Sequence, residues 1–481
     1  MPEEAINCDT LIIGSGPGGA ITSYLLSKNG QKVILVDEGS NLTLDSCQPY
    51  SLEEMNQKYR NDGLTLALGS NKLTYIEAKC VGGGSEINSG LYHRVLPETI
   101  DRWKNEFKIK DFDYTQLLPF FKQNEEDLSV SQMPVFKGKS SLKLKEGADL
   151  LGWEVMEVPR WWKYHNTEGN TIEQRQSMTE TFVPWAIQSG CKLISQTRAL
   201  KIIIKNKCAK YAILEKDNGH KKSRIKIFFK DIFVCCGAIQ TPALLRRSGI
   251  TNNIGNNLRL HPMIRTVASF DEDINEENIG VPPHQVTQFK PEITLGCSNS
   301  SIPHLALWLS GKVGDINSKL KDWRKMALFY SLIVSEGKGY IRNIIGLNTP
   351  FVYFSMTKND YHLLEQSFHK LCLLLFKAGA REIFTPIQGT KPIQKIEELE
   401  NISKGSPLIK NDISTIHVFS SCPMGEDKEK CAVNSYGKLH GYSNIYINDS
   451  SMLPGPPGVN PQGTIMAIVR RNVDYYLRSK S

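Results

Sequence analysis

The chain has 481 residues, 40% apolar and 22% charged, the balance of an ordinary globular protein long enough for two domains. Its 58 basic residues outnumber the 50 acidic ones for a net charge of +8, but they are scattered, without the Lys/Arg block of a nucleic-acid-binding stripe. The start, MPEEAINCDT, has neither a basic n-region nor an apolar core, and runs such as LCLLLF at 371–376 fall far short of the roughly 20 apolar residues of a membrane span, so a cytoplasmic protein with no transmembrane segment is expected.

In chain order, CDTLIIG reads as a β-branched strand, GSGPGGAITSYLLSKNG as a glycine turn and a helix stopped at Gly30, and QKVILVDEG as a second strand. Gly14, Gly16 and Gly19 form G-x-G-x-x-G inside this βαβ unit, where backbone amides at a helix N-terminus can approach a pyrophosphate. Asp37 lies 18 residues past Gly19 at the end of the second strand, placed to accept from ribose hydroxyls. Glu38 is the neighbouring candidate and should face the other way. The unit binds a dinucleotide, without choosing between FAD and NAD.

KCVGGGSEINSGLYHR at 79–94 sets Gly82, Gly83 and Gly84 before Ser85 and Asn88. Three glycines let a backbone wrap a large flat ligand, which favours FAD. RALKIIIK, KYAILEK, RIKIFFK and DIFVCC are short strand-like runs, and QTPALLRRSG is a helix ended by Gly249. HLALWLSG, LFYSLIVSE and FVYFSMT read as strands, and DYHLLEQSFHKLCLLLFKAGA as a helix broken near Gly379. The aromatics Trp308, Phe329, Tyr330, Phe351 and Tyr353 of this region read as core more readily than as a ligand wall. At the end, Asn460 suits a helix N-cap, with Pro461 at the first position and TIMAIVRRNVDYYL continuing as an amphipathic helix. Eleven cysteines, an odd number with none in CxxC spacing, read as reduced thiols, with no metal site expected.

Taken in order, GSGPGG with Asp37, CVGGGSEIN, DIFVCCGAIQTPALLRRSGI, IGNNLRLHP and HVFSSCPMG…YINDSSMLPGPPGVNPQGTIMAI resemble the glucose-methanol-choline (GMC) oxidoreductases, nearest in motif to the cholesterol oxidase and long-chain alcohol oxidase branches. The resemblance implies an α/β fold in which a Rossmann-like FAD-binding domain (1–95, 190–262 and 412–481) is interleaved with an α+β substrate domain (96–189 and 263–411) built on an antiparallel sheet. It implies FAD contacts from the glycine turn with Pro17 and Gly18, from Gly82 to Ser85, and from Asn88, Ser89, Gly90 and Leu91. Ala199 beside the adenine, Cys236, Gly237, Asp449, Pro461 and Thr464 complete the expected set.

Oxidising an alcohol removes a hydride from carbon and a proton from oxygen. With flavin N5 taking the hydride, the protein must supply a base and a donor that fixes the oxygen, and histidine suits the proton. His417 matches the family's catalytic histidine, and Asn460, 43 residues on, matches its His-or-Asn partner. The helix start at Asn460 would also set positive potential beside the flavin pyrimidine ring. Where some members attach FAD covalently through a histidine, this chain has Ile87, so dissociable FAD is expected, His93 being the alternative anchor. The CxxCxxxC cluster of many long-chain alcohol oxidases is absent from HNTEGNTIEQRQSMTETF. A small alcohol is the expected substrate, with O2, a quinone or another carrier as electron acceptor. A non-redox lyase on the same FAD scaffold is the alternative activity, and neither the alcohol nor the oligomeric state is legible.

Overall fold

The computed structural model describes residues 4–480 except 70, 135–137, 168–169, 218, 220–221, 278–279, 388–389 and 400–411. Five short apolar segments, Thr10–Ile13 (β1), Val33–Val36 (β2), Lys192–Ile194 (β3), Asp231–Val234 (β4) and Ile445–Ile447 (β5), form a parallel sheet in the order β3-β2-β1-β4-β5. β1, β2, β4 and β5 are buried at every residue, as strands covered on both faces must be, which is why they read as unbroken apolar runs. The connecting helices are α1 (Pro17–Lys28), α2 (Gly237–Arg247) and α3 (Gln462–Lys480). Strand order reverses around β1, so the crevice for a ligand lies at the carboxyl ends of these strands.

Two further sheets flank this one. Thr197–Lys205, Cys208–Asp217 and Lys222–Phe228 form an antiparallel meander that ends on Glu4–Asn7. A nine-stranded, mainly antiparallel sheet runs through Thr65–Ala67, Leu73–Tyr75, Ile413–Thr415, Met263–Ser269, Met326–Ile333, Ile293–Cys297, His284–Val286 and Val155–Glu157, with Glu382–Phe384 as a side branch. The helix Lys358–Lys377 packs on it, started by a capping box between Thr357 and Asp360. The fold is therefore mixed α/β, with a parallel and a large antiparallel sheet.

Some sequence expectations change. HLALWLSG is not a strand: Ile302–Leu309 is a helix with Pro303 in its first turn. Leu305 and Leu309, four residues apart, are its fully buried pair, a spacing that a short, nearly continuous apolar run conceals. α3 also departs from amphipathic form, because its residues from Gly463 to Val473 are all buried. Residue 411, the expected edge of the inserted segment, lies outside the described residues. Among the described residues no helix is long and apolar enough to cross a membrane.

The tightest contacts sit where α1 leaves β1. A Cβ at Gly18 would lie 2.0 Å from the Asn448 carbonyl oxygen, and one at Gly19 would lie 1.8 Å from that of Gly14. Helix and strands here touch backbone to backbone. Gly18→Ala is expected to destabilise the protein by about 1–3 kcal/mol or more, read as a lower denaturation midpoint; wild-type stability in this variant would refute the packing.

Candidate active site

The glycine turn, Asp37, the triple glycine and Asp449 converge at the carboxyl ends of β1, β2, β4 and β5. Asp37 Oδ2 accepts from Ser15 N at 2.9 Å and Ser15 Oγ at 2.6 Å, and its Oδ1 accepts from Gly39 N at 2.8 Å. Gly82 N donates to Ser15 Oγ at 3.0 Å, and a Cβ at Gly83 would lie 2.8 Å from Gly16 Cα, so the second glycine cluster closes directly onto the first. Gly84 and Gly237 have open space where a Cβ would stand. Asp449, 4% exposed, accepts from Gly237 N at 2.8 Å, from the Thr241 hydroxyl and from Ser451 N at 2.8 Å, which ties the start of α2 to the end of β5. Cys236 N donates to Thr241 Oγ1 at 2.9 Å, so the Cys236–Gly237 turn is held by the same residues.

These residues fit a dinucleotide. With three donors already on its carboxylate, Asp37 keeps one acceptor position free, and burial pushes its acid up to about 6 against the pull of Ser15 and Gly39, so a further hydroxyl donor would stabilise the anion. Thr197 N donates to the Asp37 carbonyl at 2.8 Å, which brings Ala199, two residues on, to the same edge. Glu38 forms ion pairs with Arg60 and Arg198. Asn88 Nδ2 donates to Gln462 Oε1 at 2.7 Å, joining this loop to the start of α3. In the first turn of that helix Thr464 Oγ1 is buried without a partner. Ser85 is spent on the Gly82 carbonyl and Met178 N. Ser89 and Gly90 run on against Trp162 and Trp161, and Leu91 is buried beside Arg160.

His417 and Asn460 are brought together by the strip that follows Asp449. Ser420 N, Cys422 N and Met424 N donate to the carbonyls of Ser450, Ser451 and Met452 at 3.1, 2.7 and 2.9 Å, which zips the segment after His417 onto the segment that leads to Asn460. Asn460 Nδ2 lies 3.4 Å from His417 Nε2, and Gln285 Nε2 donates to Asn460 Oδ1 at 3.4 Å and to the Tyr330 hydroxyl at 2.8 Å. His417 Nδ1 lies 3.1 Å from His261 Nδ1. With the Asn460 oxygen facing Gln285 and its NH2 facing His417, Nε2 of His417 is the acceptor and its hydrogen sits on Nδ1, donated to His261. Asn460 is therefore not the N-cap expected of it: both ends of its amide face other side chains, and the first helical carbonyl of α3 is that of Pro461, which accepts from Ile465 N at 2.9 Å.

Residues beyond the sequence expectations complete the site. Arg265 pairs with Tyr330, Tyr330 with Gly296, Gly296 with Gln285 and Gln285 with Met156 across five neighbouring strands, and directly opposed residues share a face. A Cβ at Gly296 would lie 2.6 Å from the Tyr330 ring, so glycine lets that ring lean toward Gln285. Burial, reinforced by Arg265, pushes His417 down to about 3. Burial also holds His261 and His93 well below the usual imidazole range, helped at His261 by His417 and at His93 by Lys290 and His417. His261 stands in the IGNNLRLHP motif, the one sequence signal for these residues; the others depend on strand register, which no local pattern encodes.

The comparisons point to one family. The N-terminal pattern of the GMC oxidoreductases matches residues 10–263 and the C-terminal one residues 352–468. An uncharacterised GMC-type oxidoreductase of Sinorhizobium fredii is 35% identical, covering 100% of this chain and 96% of its own. The long-chain-alcohol oxidase FAO3 of Arabidopsis thaliana is 25% identical over 96% of this chain and 67% of its own. Pyridoxine 4-oxidase from Mesorbium loti superposes with a TM-score of 0.73 at 15% identity, covering 98% and 99% of the two chains. An FAD-dependent oxidoreductase from Chaetomium thermophilum gives 0.70 at 14% identity, over 98% and 100%.

Neutral burial of His417 has a pH signature. Its folded-state pKa lies below the unfolded one, so the unfolded chain binds the extra proton and stability falls as pH drops from about 6.5 toward 3. His417→Gln is expected to flatten the fall between pH 6 and 4 by up to about 1.4 kcal/mol per pH unit, measured by denaturant unfolding across pH; the raised Asp37 is common to both proteins and cancels. Identical slopes would refute the neutral histidine.

Proposed function

The chain belongs to the GMC oxidoreductase family, and on that premise we propose that this FAD-dependent oxidoreductase, acting on CH–OH groups, oxidises a small-molecule alcohol to a carbonyl at His417 and Asn460. The observation that carries the reading is the buried approach of Asn460 Nδ2 to His417 Nε2, facing an in-register row of polar side chains on the antiparallel sheet. Bound FAD supplies the acceptor for the hydride leaving carbon. The chain's residues deal with the oxygen.

Asn460 donates its amide to the alcohol oxygen, held in orientation by Gln285, which Tyr330 steadies in turn. His417 takes the hydroxyl proton at Nε2, with Nδ1–H anchored on His261 so that the ring presents one nitrogen only. The lone pair is available at neutral pH, because burial keeps the ring neutral there. Burial opposes an imidazolium at His417, which favours O–H and C–H cleavage together. The buried glycine cradle, the Asp37 acceptor position and the first turn of α3 are the FAD contacts. Ile87 offers no nucleophile for attachment, which supports dissociable FAD.

The test is anaerobic mixing of the holoprotein with an alcohol panel, followed by bleaching of the flavin absorbance. His417→Ala is expected to lower the bleaching rate by roughly 10²–10⁴ and Asn460→Ala by roughly tenfold or more, with flavin content unchanged; full rates in both variants would sink the assignment. Acid precipitation of the holoprotein is expected to leave all the flavin in the supernatant. Flavin retained on the pellet would mean a covalent link.

A further inference from the structure

Beside Asn460 opens a cavity of about 480 Å³ whose wall includes His93, Met156, Lys290 and Val459. Val459 in that wall is the chain neighbour of Asn460, and Met156 belongs to the same cross-sheet row as Gln285. The volume suits a small molecule. The polar groups around it are unequally satisfied.

Arg94 and Glu125, also in the wall, neutralise each other through a bidentate pair, Nε to Oε1 and Nη2 to Oε2, both at 2.6 Å. Lys290 has no such partner. Among the described residues the only hydrogen-bonding contact of its side chain is Met156 Sδ at 3.9 Å, a weak acceptor, and no carboxylate pairs with it. His93, 6% exposed, has neither ring nitrogen hydrogen-bonded. A half-buried ammonium without a counter-ion and a buried imidazole without a hydrogen bond are costly unless a ligand supplies the partners. Burial alone pushes Lys290 down to about 8, so the charge survives at neutral pH and lacks only its counter-ion.

We infer that this cavity receives the part of the substrate remote from the reacting hydroxyl, and that Lys290 with His93 selects alcohols carrying an anionic group, a carboxylate or a phosphate ester, over neutral ones. Arg94 does not take this role, because Glu125 already neutralises it along its Nε–Nη2 edge and its Nη1 faces the Tyr114 hydroxyl. The anion meets a cation and a neutral ring donor, while the hydroxyl end reaches Asn460 past Val459. The inference rests on the reading of His417 and Asn460 as the alcohol-oxidising pair. Lys290 is a specificity residue in it and takes no part in proton transfer.

The test uses the holoprotein with ω-hydroxyhexanoate, ω-hydroxyhexyl phosphate and hexanediol as substrates, and with hexanoate as a non-oxidisable probe in calorimetry. The wild type is expected to show a lower KM for at least one anionic alcohol than for the diol, and the better of the two anions identifies the group. Lys290→Met is expected to raise that KM by roughly tenfold or more, with kcat and the KM for the diol within about twofold, and Lys290→Arg to recover most of the loss. An equal KM for charged and neutral alcohols in the wild type, or an equal effect of Lys290→Met on both, overturns the inference and leaves the oxidation chemistry standing. If no alcohol bleaches the flavin, the reading of the site falls, and hexanoate binding decides alone: roughly tenfold weaker binding to Lys290→Met supports the anion site, and unchanged binding removes it. Circular dichroism and bound-flavin content of each variant separate a lost contact from a lost fold.

Discussion

The site depends on three places where main chain meets main chain with no side chain between. Gly14 abuts the Cys235 carbonyl, Gly18 the Asn448 carbonyl and Gly83 the Cα of Gly16, so one glycine turn fixes the relative positions of the β4 exit, the β5 exit and the triple-glycine loop. Close packing makes such contacts stiff, because any added atom has to push backbone aside. Asp449 follows immediately. Its carboxylate tolerates burial because Gly237, Thr241 and Ser451 all donate to it, and its position anchors the strip on which His417 and Asn460 are hung.

The second determinant is the polar row on the nine-stranded sheet. Arg265, Tyr330, Gln285 and Met156 come from four separate strands, and Gly296 lies among them as a gap that Tyr330 fills. Each bond in the chain Tyr330–Gln285–Asn460–His417–His261 is modest, two of them at 3.4 Å. The value of the chain is direction: the amide of Asn460 and the ring of His417 each have a single orientation that leaves neither with an unpaired polar end. Preorganisation of this kind lowers a barrier because nothing has to turn during reaction.

The sequence carried the parallel sheet almost in full, since its strands are continuous β-branched runs and its turns are marked by glycines whose contacts admit no Cβ. His417, Asn460, Asp37, Asp449 and the triple glycine were legible as motifs, and the structure gathers them at one edge. What escaped were Gln285, Tyr330, Arg265 and Lys290. Tyr330 was visible only as one aromatic in an apolar strand, which core packing explains equally well, and Gln285 stands in no motif. Their meaning comes from register between strands up to 129 residues apart, as Met156 and Gln285 are, and register is set by the whole sheet. The helix at Ile302–Leu309 was misjudged for the opposite reason: its local pattern is strong but fits two periods.

The charges around the reacting end are arranged unevenly, and that decides how the proton moves. Asp37 and Asp449 lie at the cradle, satisfied by hydrogen-bond donors, whereas Arg265 beside the histidines is held by the Ser414 hydroxyl at 2.7 Å and the Trp308 ring, without a carboxylate among the described residues. An unpaired cation there opposes an imidazolium at His417 and favours an alkoxide on the substrate, and for groups at similar distance the two effects on proton transfer cancel. Burial does not cancel. It is the larger cause of the low basicity of His417, and it penalises the separated pair of charges that a proton transfer in advance of C–H cleavage would create. A neutral alcohol and a neutral histidine can cross such a site at least cost if the oxygen never holds a full negative charge, which requires the C–H electrons to leave as the proton does.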